Sequence, residues 1–407
     1  MTRLFSLLLF ALVARFESPA GLGRYALVVA VLALAAGFSD LGLSTYLVRE
    51  AAAEEEDRDK QQIFNRVLAL KLGLALLAYG LLLLISQVTL IPRLTAQLIM
   101  LGGLVLLPEA ASGAMAAYLN ARQRMEISAV ILVLGRGLSL LGALLVLQSG
   151  YGLPGVLAAA IGASLAGTIL YIAVLLRWRV RFSFRFQRLD WRHDLRQALP
   201  FALTSLIALV YLRVDLLLLG LWRGESAAGW YSGAYRLWES IRVLPNSLLN
   251  AGFPELSRRW QQPAQGRSLS DWFQLGMWGL LGVGLLLTLL LQILAEPLLG
   301  LIFGVGEVYT PALAVFRLLA WSIPAVFLYL YSGYLLYAAG QQALVMRWML
   351  VIALLNVTLN LFAIPRWWLL GAGAVALLSE WLLAALLYPR ARRALALRRK
   401  AFSFGSG

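Results

Sequence analysis

The stretch Tyr25–Leu47, YALVVAVLALAAGFSDLGLSTYL, contains a single charged residue, Asp40. A helix needs about 20 consecutive apolar residues to cross the hydrocarbon core of a bilayer, so this stretch predicts a membrane-spanning helix. The whole chain has the same character, because 61% of its 407 residues are hydrophobic, 14% are charged and the mean hydropathy is +0.79. Soluble domains are about 45–50% apolar and about 25% charged. The composition therefore excludes an ordinary soluble domain.

Apolar runs bounded by charged clusters predict twelve spans joined by short loops. They are Phe5–Val13, Tyr25–Leu47, Val67–Ser86, Leu98–Leu119, Ile127–Leu147, Leu153–Leu176, Ala198–Leu221, Ala228–Leu249, Trp272–Leu294, Ala312–Tyr337, Trp348–Ile364 and Trp368–Tyr388. The longest predicted exterior connection, Ala295–Pro311, is too short for a folded extracellular domain. The chain is thus predicted to be almost entirely membrane-embedded.

The basic residues are distributed unevenly between the two predicted sides of the membrane. The net charge is +15, and of 35 Lys and Arg residues 24 fall on the side of both termini, 5 on the other side and 6 inside spans. Cytoplasmic loops carry such an excess. Both termini are therefore expected in the cytoplasm, with the chain in the cell inner membrane, and the positive charge indicates no nucleic-acid partner.

Residue types that build many catalytic and metal sites are nearly missing. The chain has no cysteine and one histidine, His193, which lies in a basic hydrophilic stretch. Disulfides, thiolate metal sites and cysteine nucleophiles are excluded, and a histidine-based metal site is not expected. The P-loop, HExxH and GxSxG motifs are also absent. No cofactor, metal site or catalytic residue is predicted, and the chain is not expected to be an enzyme.

The first apolar segment is too short to cross a membrane. Arg3 and Arg15 bound about 16 Å of helix, whereas the hydrocarbon core is about 30 Å thick. One interpretation is a signal peptide with the small residues Ser18-Pro19-Ala20 as its cleavage site. The other, which the charges of Arg15 and Glu17 favour, is that the first helix begins upstream of Met1.

A polar interruption at 177–197 separates two predicted lobes of six spans each. The N-terminal lobe covers 1–176, the C-terminal lobe covers 198–388, and a basic cytoplasmic tail covers 389–407. A short repeat supports this division, because Glu17–Gly21 (ESPAG) recurs as Glu225–Gly229 (ESAAG), each in the exterior turn after the first span of a lobe. Six spans per lobe give both lobes the same orientation. We therefore predict an all-α membrane protein with two pseudo-symmetric six-helix lobes around a central cavity.

The interruption itself begins with a strict alternation. Aromatic or apolar residues occupy the even positions from Trp178 to Phe186, and arginines occupy most odd positions from Arg177 to Arg185. A period of two places the aromatic residues on one face. This pattern predicts an amphipathic linker that lies on the anionic cytoplasmic leaflet. The alternative is a linker whose arginines only follow the positive-inside distribution.

Ionisable residues inside the spans indicate binding and coupling sites, because they are expensive in a bilayer. Five arginines are predicted to bind substrate: Arg136, Arg213, Arg236, Arg242 and Arg317. Four carboxylates are predicted to couple an ion: Glu109, Asp215, Glu239 and Glu380. Lys71 and Asp40 lie near predicted cytoplasmic ends, where an extended side chain reaches the headgroups at low cost.

The eighth span carries the densest set of charges. Arg236, Glu239 and Arg242 spread over about 120° of one helix face, and Tyr235 and Trp238 are close by. Arginine binds phosphate in bidentate fashion and aromatic rings stack on sugars. The face therefore suits a sugar-phosphate headgroup. The alternative is an Arg–Glu–Arg ladder that neutralises itself against a neighbouring helix.

Other spans contribute candidate contacts and pairings. Tyr331 and Tyr334 in the tenth span, followed by Tyr337, are spaced for a stripe that contacts sugar. Arg136 has two interpretations, a cavity residue or a partner of Glu109 on the preceding span. Glu380 in the last span either carries a coupling proton or pairs with Arg317 or another cation.

The stretch Ser18–Glu50 resembles the start of Wzx-type flippases, the O-antigen and polysaccharide exporters of the multidrug/oligosaccharidyl-lipid/polysaccharide (MOP) superfamily. Four residues occupy the places of the family motif near the end of the second helix: Asp40, Gly42, Arg49 and Glu50. Further similarity lies in Asp215–Gly220 (DLLLLG), Ala228–Tyr231 (AGWY) and Ala234–Leu237 (AYRL).

This resemblance implies a flippase for undecaprenyl-pyrophosphate-linked oligosaccharide, the repeat unit of a polysaccharide such as O-antigen in lipopolysaccharide. It implies alternating access, coupling to an ion gradient such as H⁺ or Na⁺, and contacts with membrane lipids and polysaccharide-assembly partners. The alternatives are a lipid II-type or multidrug exporter of the same superfamily, a scaffold in an assembly complex, or a membrane polysaccharide polymerase or glycosyltransferase.

Overall fold

The computed structural model describes residues 2–87, 92–182, 188–261, 269–304 and 310–404, which form fifteen α-helices and no strand. The helices are α1 (Thr2–Phe16), α2 (Pro19–Asp40), α3 (Leu43–Ala53), α4 (Asp57–Ile85), α5 (Arg93–Gly103), α6 (Leu106–Ala121), α7 (Met125–Gln148), α8 (Gly152–Arg177), α9 (Arg188–Arg223), α10 (Glu225–Ile241), α11 (Val243–Gln261), α12 (Leu269–Phe303), α13 (Thr310–Ala320), α14 (Ile323–Ala338) and α15 (Gln342–Phe404). The predicted all-α fold class is confirmed.

Eight helical segments of the described residues are long and apolar enough to cross a membrane, and bent α9 raises the number to nine. Three of these eight segments each consist of two consecutive helices, namely α2 with α3, α5 with α6, and α13 with α14. Another is α15, which contains two predicted spans. The second of them begins at Trp368, whose φ of 55° is not helical. The chain is a multi-pass membrane protein, and the count of twelve spans stays a prediction.

The first complete span is interrupted at the family motif. Helix α2 ends at Asp40 because the next two residues are left-handed, with φ of 39° at Leu41 and 73° at Gly42. A β-carbon on Gly42 would lie 2.7 Å from the backbone nitrogen of Ala202 and 2.8 Å from the carbonyl oxygen of Ala198, both on α9. Glycine alone adopts this conformation without strain and leaves that space. Gly42 therefore lets α9 cross the break in close contact.

Replacing Gly42 by alanine is expected to lower the stability of the protein by about 1–3 kcal/mol, because both the left-handed backbone and the contact with α9 are disturbed. Thermal unfolding of the purified protein in detergent measures the effect. Gly73→Ala on α4 is the matched control, since a β-carbon there meets no atom within 4 Å. Equal melting temperatures for Gly42→Ala and the wild type would refute this role.

Packing groups the chain into two compact units, Met1–Gly229 and Trp230–Gly407. Helix α9 belongs to the first unit, because it packs against α2 and α3. The sequence places most of α9 in the C-terminal lobe, so the packing units and the predicted lobes divide the chain at different points. The assignment of two six-helix lobes stays a prediction.

The linker at 177–197 is attached to the first unit through its apolar face. Val180 is 3% exposed, and Trp178 and Phe182 pack against the core that α3, α4 and α6 form. The side-chain amide of Asn65 on α4 donates to the carbonyl oxygen of Arg181 at 3.0 Å. Protein therefore covers much of this part of the apolar face, and the placement of the linker on the lipid leaflet stays a prediction. The rest of the alternation, 183–187, lies outside the described residues.

The predicted basic tail continues α15 and is fixed within the second unit. The guanidinium of Arg390 lies 4.0 Å over the ring of Trp348. Arg398 donates to the carbonyl oxygens of Arg259 and Trp260, each at 2.8 Å, at the end of α11. A cation at the last carbonyls of a helix also complements the helix dipole. The tail thus caps α11.

Candidate functional site

Arg242 lies in the second unit, at the break between α10 and α11, and is held by groups from three elements. Its Nη1 lies 3.1 Å from Oε1 of Glu380 on α15, whose side chain is 3% exposed. Its Nη2 donates to the hydroxyl of Tyr329 on α14. The guanidinium also lies 4.6 Å from the centroid of the Trp238 ring. We call these four residues the Arg242 cluster.

A polar network adjoins the Arg242 cluster inside the second unit. The side-chain amide of Asn356 donates to the hydroxyl of Ser379 at 2.9 Å, and that of Asn360 donates to Oδ1 of Asn356 at 3.0 Å. Ser379 is the residue before Glu380, and all three members of the network are buried. Buried polar side chains are retained when they are hydrogen-bonded. Asparagine and serine at these positions carry no signal in the sequence, and sequence reasoning missed them.

The predicted Arg–Glu–Arg face of the eighth span divides into two ion pairs. Arg236 pairs with Glu239 through Nη1 and Oε2 at 3.2 Å, one turn apart on α10. Arg242 instead pairs with Glu380, so a ladder that includes all three residues is not formed. Both arginines are partly exposed, with 19% of the Arg236 side chain and 16% of the Arg242 side chain accessible. Part of each arginine side chain is therefore accessible in this structure.

The aromatic residues of α10 form a stack behind these arginines. The rings of Tyr231 and Tyr235 are stacked with centroids 5.7 Å apart, and Tyr235 lies 5.1 Å from Trp238. Tyr231 and Trp238 are each 1% exposed, and the indole nitrogen of Trp238 donates to Ser322 at 2.9 Å. Because these three rings are almost completely buried, the stack anchors α10 and sets the direction in which its arginines point.

The predicted tyrosine stripe on α14 is mainly a packing element. Tyr331 is 5% exposed and stacks on Phe273 with centroids 4.7 Å apart. Tyr334 is half-buried beside Phe253 at 5.4 Å. Tyr329, which binds Arg242, is outside the i+3 series of the stripe. The i+3 spacing therefore did not identify Tyr329, the tyrosine of α14 that contacts Arg242.

Arg317 and Glu380 do not pair with each other. The guanidinium of Arg317 lies 3.0 Å from Oε1 of Glu296 on α12, on an exposed part of the second unit. Of the two partners that the sequence allowed for Glu380, Arg317 is wrong, and another cation, Arg242, is correct. Arg317 is therefore not a member of the Arg242 cluster.

In the first unit, the buried Lys71 forms an ion pair with a partly exposed carboxylate. Its Nζ lies 2.6 Å from Oδ1 of Asp40 and donates to the hydroxyl of Ser44 at 2.7 Å. A β-carbon on Gly113 would lie 2.8 Å from this nitrogen. The side chain of Lys71 is 4% exposed, so the expectation that it extends to the headgroups is wrong. The break after α2 brings Asp40 to the lysine.

The remaining charged candidates are spread over the first unit. Arg136 on α7 is exposed and makes no salt bridge with Glu109 among the described residues, although the two interact electrostatically. Asp215 is buried, and its Oδ1 accepts from the backbone nitrogen of Leu216 at 2.8 Å. Arg213, two residues away, is half-buried. Of these four side chains, Glu109 and Arg136 interact with each other.

Two motif residues lie at the surface of α3. Arg49 is exposed and contacts Glu50 with Nη2 2.7 Å from Oε1. Its guanidinium also lies 5.4 Å from the centroid of the Phe201 ring on α9. Cation–π contacts of this kind hold neighbouring helices together. Arg49 thereby joins α3 to α9.

The first turns of α2 and α10 are in direct backbone contact. A β-carbon on Gly23 would overlap the carbonyl oxygen of Glu225, and one on Gly229 would overlap the carbonyl oxygen of Pro19. The contact is reciprocal, because in each helix the overlapping carbonyl precedes the glycine by four residues. Pro19, Glu225 and Gly229 belong to the two copies of the repeat, and Gly23 lies two residues after the first copy. We call this contact the glycine crossing.

An ion pair covers the glycine crossing. The guanidinium of Arg24 donates to Oε2 of Glu225, and the hydroxyl of Thr95 on α5 donates to Oε1 of the same carboxylate. The Glu225 side chain is 14% exposed. A carboxylate in the first turn of α10 also offsets the positive helix ends that meet here. Three helix ends are therefore tied together by one carboxylate.

A second carboxylate ties α9 to the other end of the first unit. Asp194 is fully buried, and its Oδ1 accepts from the hydroxyl of Tyr46 on α3 at 2.6 Å. Its Oδ2 lies 3.2 Å from Nε of Arg66 on α4. Among the described residues no group of three or more His, Asp or Glu side chains is placed to hold a metal ion. The polar clusters of this unit are ion pairs and hydrogen bonds between helices.

Residues 1–260 match the family model described as polysaccharide biosynthesis protein. The chain belongs to the polysaccharide biosynthesis protein family. Residues 200–362 also match the MatE family model. No curated protein matches the sequence. The family match covers α1 to α11, and thus both the glycine crossing and Arg242.

Solved structures of MOP superfamily transporters are similar over nearly the whole chain. An inward-facing MATE multidrug resistance transporter aligns with a TM-score of 0.73 and 15% identity, over 98% of this chain and 96% of the other. The lipid II flippase MurJ, in an inward closed conformation, aligns with a TM-score of 0.74 and 13% identity, over 98% and 88%. A MOP superfamily transporter from Pyrococcus furiosus aligns with a TM-score of 0.57 and 16% identity, over 97% and 92%. At these identities the likeness shows the fold.

Family and fold together confirm the resemblance to MOP-type flippases that the sequence carries. Members of these groups are transporters and flippases, so the prediction that the chain is not an enzyme is also confirmed. A narrower relation to the Wzx-type exporters stays a prediction.

Proposed function

We propose that the protein moves undecaprenyl-pyrophosphate-linked oligosaccharide across the cytoplasmic membrane by alternating access. The observation that carries this proposal is the Arg242 cluster, an arginine held inside a membrane-embedded unit at a helix break. Ionisable residues at such depth are expensive and mark substrate or ion pathways. Membership of the polysaccharide biosynthesis family supports a substrate of the same class, the lipid-linked repeat unit of a polysaccharide such as O-antigen.

The chemistry of the Arg242 cluster suits a pyrophosphate. A guanidinium presents five N–H donors in a planar fork, and phosphate oxygens accept from it in pairs. Glu380 offers the same kind of acceptor, so pyrophosphate and carboxylate compete for one arginine. Arg236, nearly two turns earlier on α10, supplies a second positive charge. In the absence of substrate, the carboxylate of Glu239 balances that charge.

This competition provides a route to ion coupling. When pyrophosphate takes Arg242, the buried carboxylate of Glu380 loses its counter-charge, and an unpaired buried charge is strongly unfavourable. A proton or Na⁺ from the ion gradient would then neutralise Glu380, and its departure would restore the Arg242–Glu380 pair and release the substrate. Glu239 would act in the same way on Arg236. Asp215 and Glu109 remain further coupling candidates.

A multidrug exporter is the second candidate, which the match of residues 200–362 to the MatE model favours. A cationic drug would require Glu380 to be available, whereas Arg242 would repel it. A lipid II-type substrate shares the pyrophosphate and differs in its sugar and peptide. A drug exporter is therefore expected to transport a cationic molecule, and an exporter of lipid-linked sugars an anionic one.

Proteoliposomes containing the purified protein and a fluorescent undecaprenyl-pyrophosphate oligosaccharide test the proposal. We expect the label to become accessible to an impermeant quencher, and to do so faster when a proton or Na⁺ gradient is imposed. Lipid II and a cationic drug are the comparison substrates, and protein-free liposomes are the control. Movement of the drug without movement of the lipid-linked oligosaccharide would refute the proposed function.

The same proposal places the protein in the cell inner membrane with both termini in the cytoplasm. The distribution of arginines supports this orientation, because Arg177, Arg179 and Arg181 are exposed beside the covered face of the linker. Polysaccharide-assembly proteins and membrane lipids are the expected partners.

A further inference from the structure

A groove of about 580 Å³ opens on the second unit, and no residue of the Arg242 cluster lines it. Helices α12, α13 and α15 form its walls, and the wall residues are mostly apolar, including Ala314, Leu318, Leu370 and Ala374. Small-molecule sites in proteins have volumes of about 300–1,000 Å³. In a bilayer, such an apolar opening is filled by lipid chains, because water and polar groups are excluded there.

The rim of the groove carries an ion pair with hydrogen-bonding capacity to spare. Nη2 of Arg317, a rim residue, lies 3.0 Å from Oε1 of Glu296. Among the described residues, that bond is the one polar contact of either side chain, so several guanidinium N–H groups and the second carboxylate oxygen are open. The two side chains are 44% and 67% exposed. The rim therefore offers a donor set and an acceptor set side by side.

Two tryptophans place the rim at a membrane–water interface. Trp321 and Trp367 line the groove and are 44% and 64% exposed. Exposed tryptophans of membrane proteins concentrate at the headgroup level. The backbone around them is fixed, because the indole nitrogen of Trp381 donates to the carbonyl oxygen of Trp321 at 3.1 Å and the amide of Gln292 donates to that of Arg317 at 2.8 Å. The charged rim thus lies at headgroup depth and the apolar walls at chain depth.

We propose that this groove binds one zwitterionic phospholipid, with the phosphate on Arg317, the ammonium on Glu296 and an acyl chain between the helices. The charges decide for this class of lipid. An anionic lipid lacks the ammonium and meets the carboxylate of Glu296 as a like charge, whereas phosphatidylethanolamine complements both members of the pair. The site is separate from the proposed transport of lipid-linked oligosaccharide and does not depend on it.

Lipid retention by the full-length protein tests the site. The protein is reconstituted in bilayers with equal amounts of phosphatidylethanolamine and phosphatidylglycerol, extracted in mild detergent and examined by native mass spectrometry. We expect about one retained phosphatidylethanolamine per chain, and about tenfold less after Arg317→Gln, since a hydrogen bond to a charged group supplies such a factor. Ala374→Phe, which fills the groove from its wall, is expected to remove the lipid as well.

Two controls match these variants. Arg124→Gln removes one member of an exposed ion pair in the first unit, Arg124 with Glu126. Leu286→Phe adds an aromatic ring to an exposed position of α12 outside the groove. Both controls should retain phosphatidylethanolamine as the wild type does. Unchanged retention in Arg317→Gln and Ala374→Phe, or retention of phosphatidylglycerol equal to that of phosphatidylethanolamine, would overturn the proposal.

Discussion

Replacing Arg242 by glutamine is expected to abolish measurable export of lipid-linked oligosaccharide, a fall of about 100-fold or more, because the charge-assisted hydrogen bonds to pyrophosphate are lost. The single variant also leaves Glu380 buried without a counter-charge, which costs about 3–5 kcal/mol when one partner of a buried pair is removed. Loss of export by this variant alone therefore mixes two causes. Quencher accessibility in proteoliposomes, together with membrane abundance, measures the result.

The double variant Arg242→Gln/Glu380→Gln separates these causes. It removes both charges and leaves two neutral side chains that can bond to each other, so the protein is expected to fold and still to fail in export. Recovery of export in the double variant would show that the pair is only structural. Arg258→Gln is the matched control, since Arg258 forms an exposed pair with Glu255 on α11. This control variant should export normally. Normal export by both Arg242→Gln and Arg236→Ala would remove these arginines from the proposed binding site.

The second large effect is expected at the glycine crossing. Alanine at Gly23 or Gly229 would place a methyl group where the carbonyl oxygen of the opposite helix lies, so the first turns of α2 and α10 must separate. The contact also joins residues of both predicted halves of the chain. We therefore expect Gly23→Ala to shift the protein away from this conformation and to impair export, because alternating access needs each conformation to be populated.

Cysteine labelling measures the shift, because the chain has no native cysteine. Thr95 is 3% exposed beneath Glu225, so Thr95→Cys should react slowly with an impermeant maleimide. Adding Gly23→Ala is expected to raise the labelling rate by about tenfold, which corresponds to about 1.4 kcal/mol in the conformational equilibrium. Gly80→Ala on α4, where a β-carbon meets no atom, is the control. Equal labelling with and without Gly23→Ala would refute this view of the contact.

Hydropathy alone was enough to predict the fold class, because a membrane selects for continuous apolar length and this property is local. The breaks within spans escaped prediction. In the sequence, Leu41 and Gly42 look like part of an ordinary apolar run, and Trp368 looks like the start of a new span. In the structure, the backbone departs from helical geometry at both places. Whether a helix breaks at a given residue depends on the helix that crosses it, as α9 does at Gly42.

The sequence likewise predicted only part of the candidate site. The sequence identified Arg242 and Glu380, because charges stand out in an apolar span. It did not identify Tyr329, since a tyrosine in an aromatic-rich helix has no distinguishing pattern. It also allowed Glu380 to pair with Arg317, which lies instead on an exposed rim with Glu296. Lys71 was expected to reach the headgroups and is buried on Asp40.

By itself, the sequence determined that this protein is a helical membrane protein of the MOP type, and which charged residues its spans contain. These properties follow from the residues in their order along the chain, because the bilayer acts on each segment separately. Only the tertiary structure decided which charges pair, where the helices break and how Gly23 and Gly229 form the glycine crossing. Such properties depend on distances between segments far apart in the chain, and a local pattern contains no information about them.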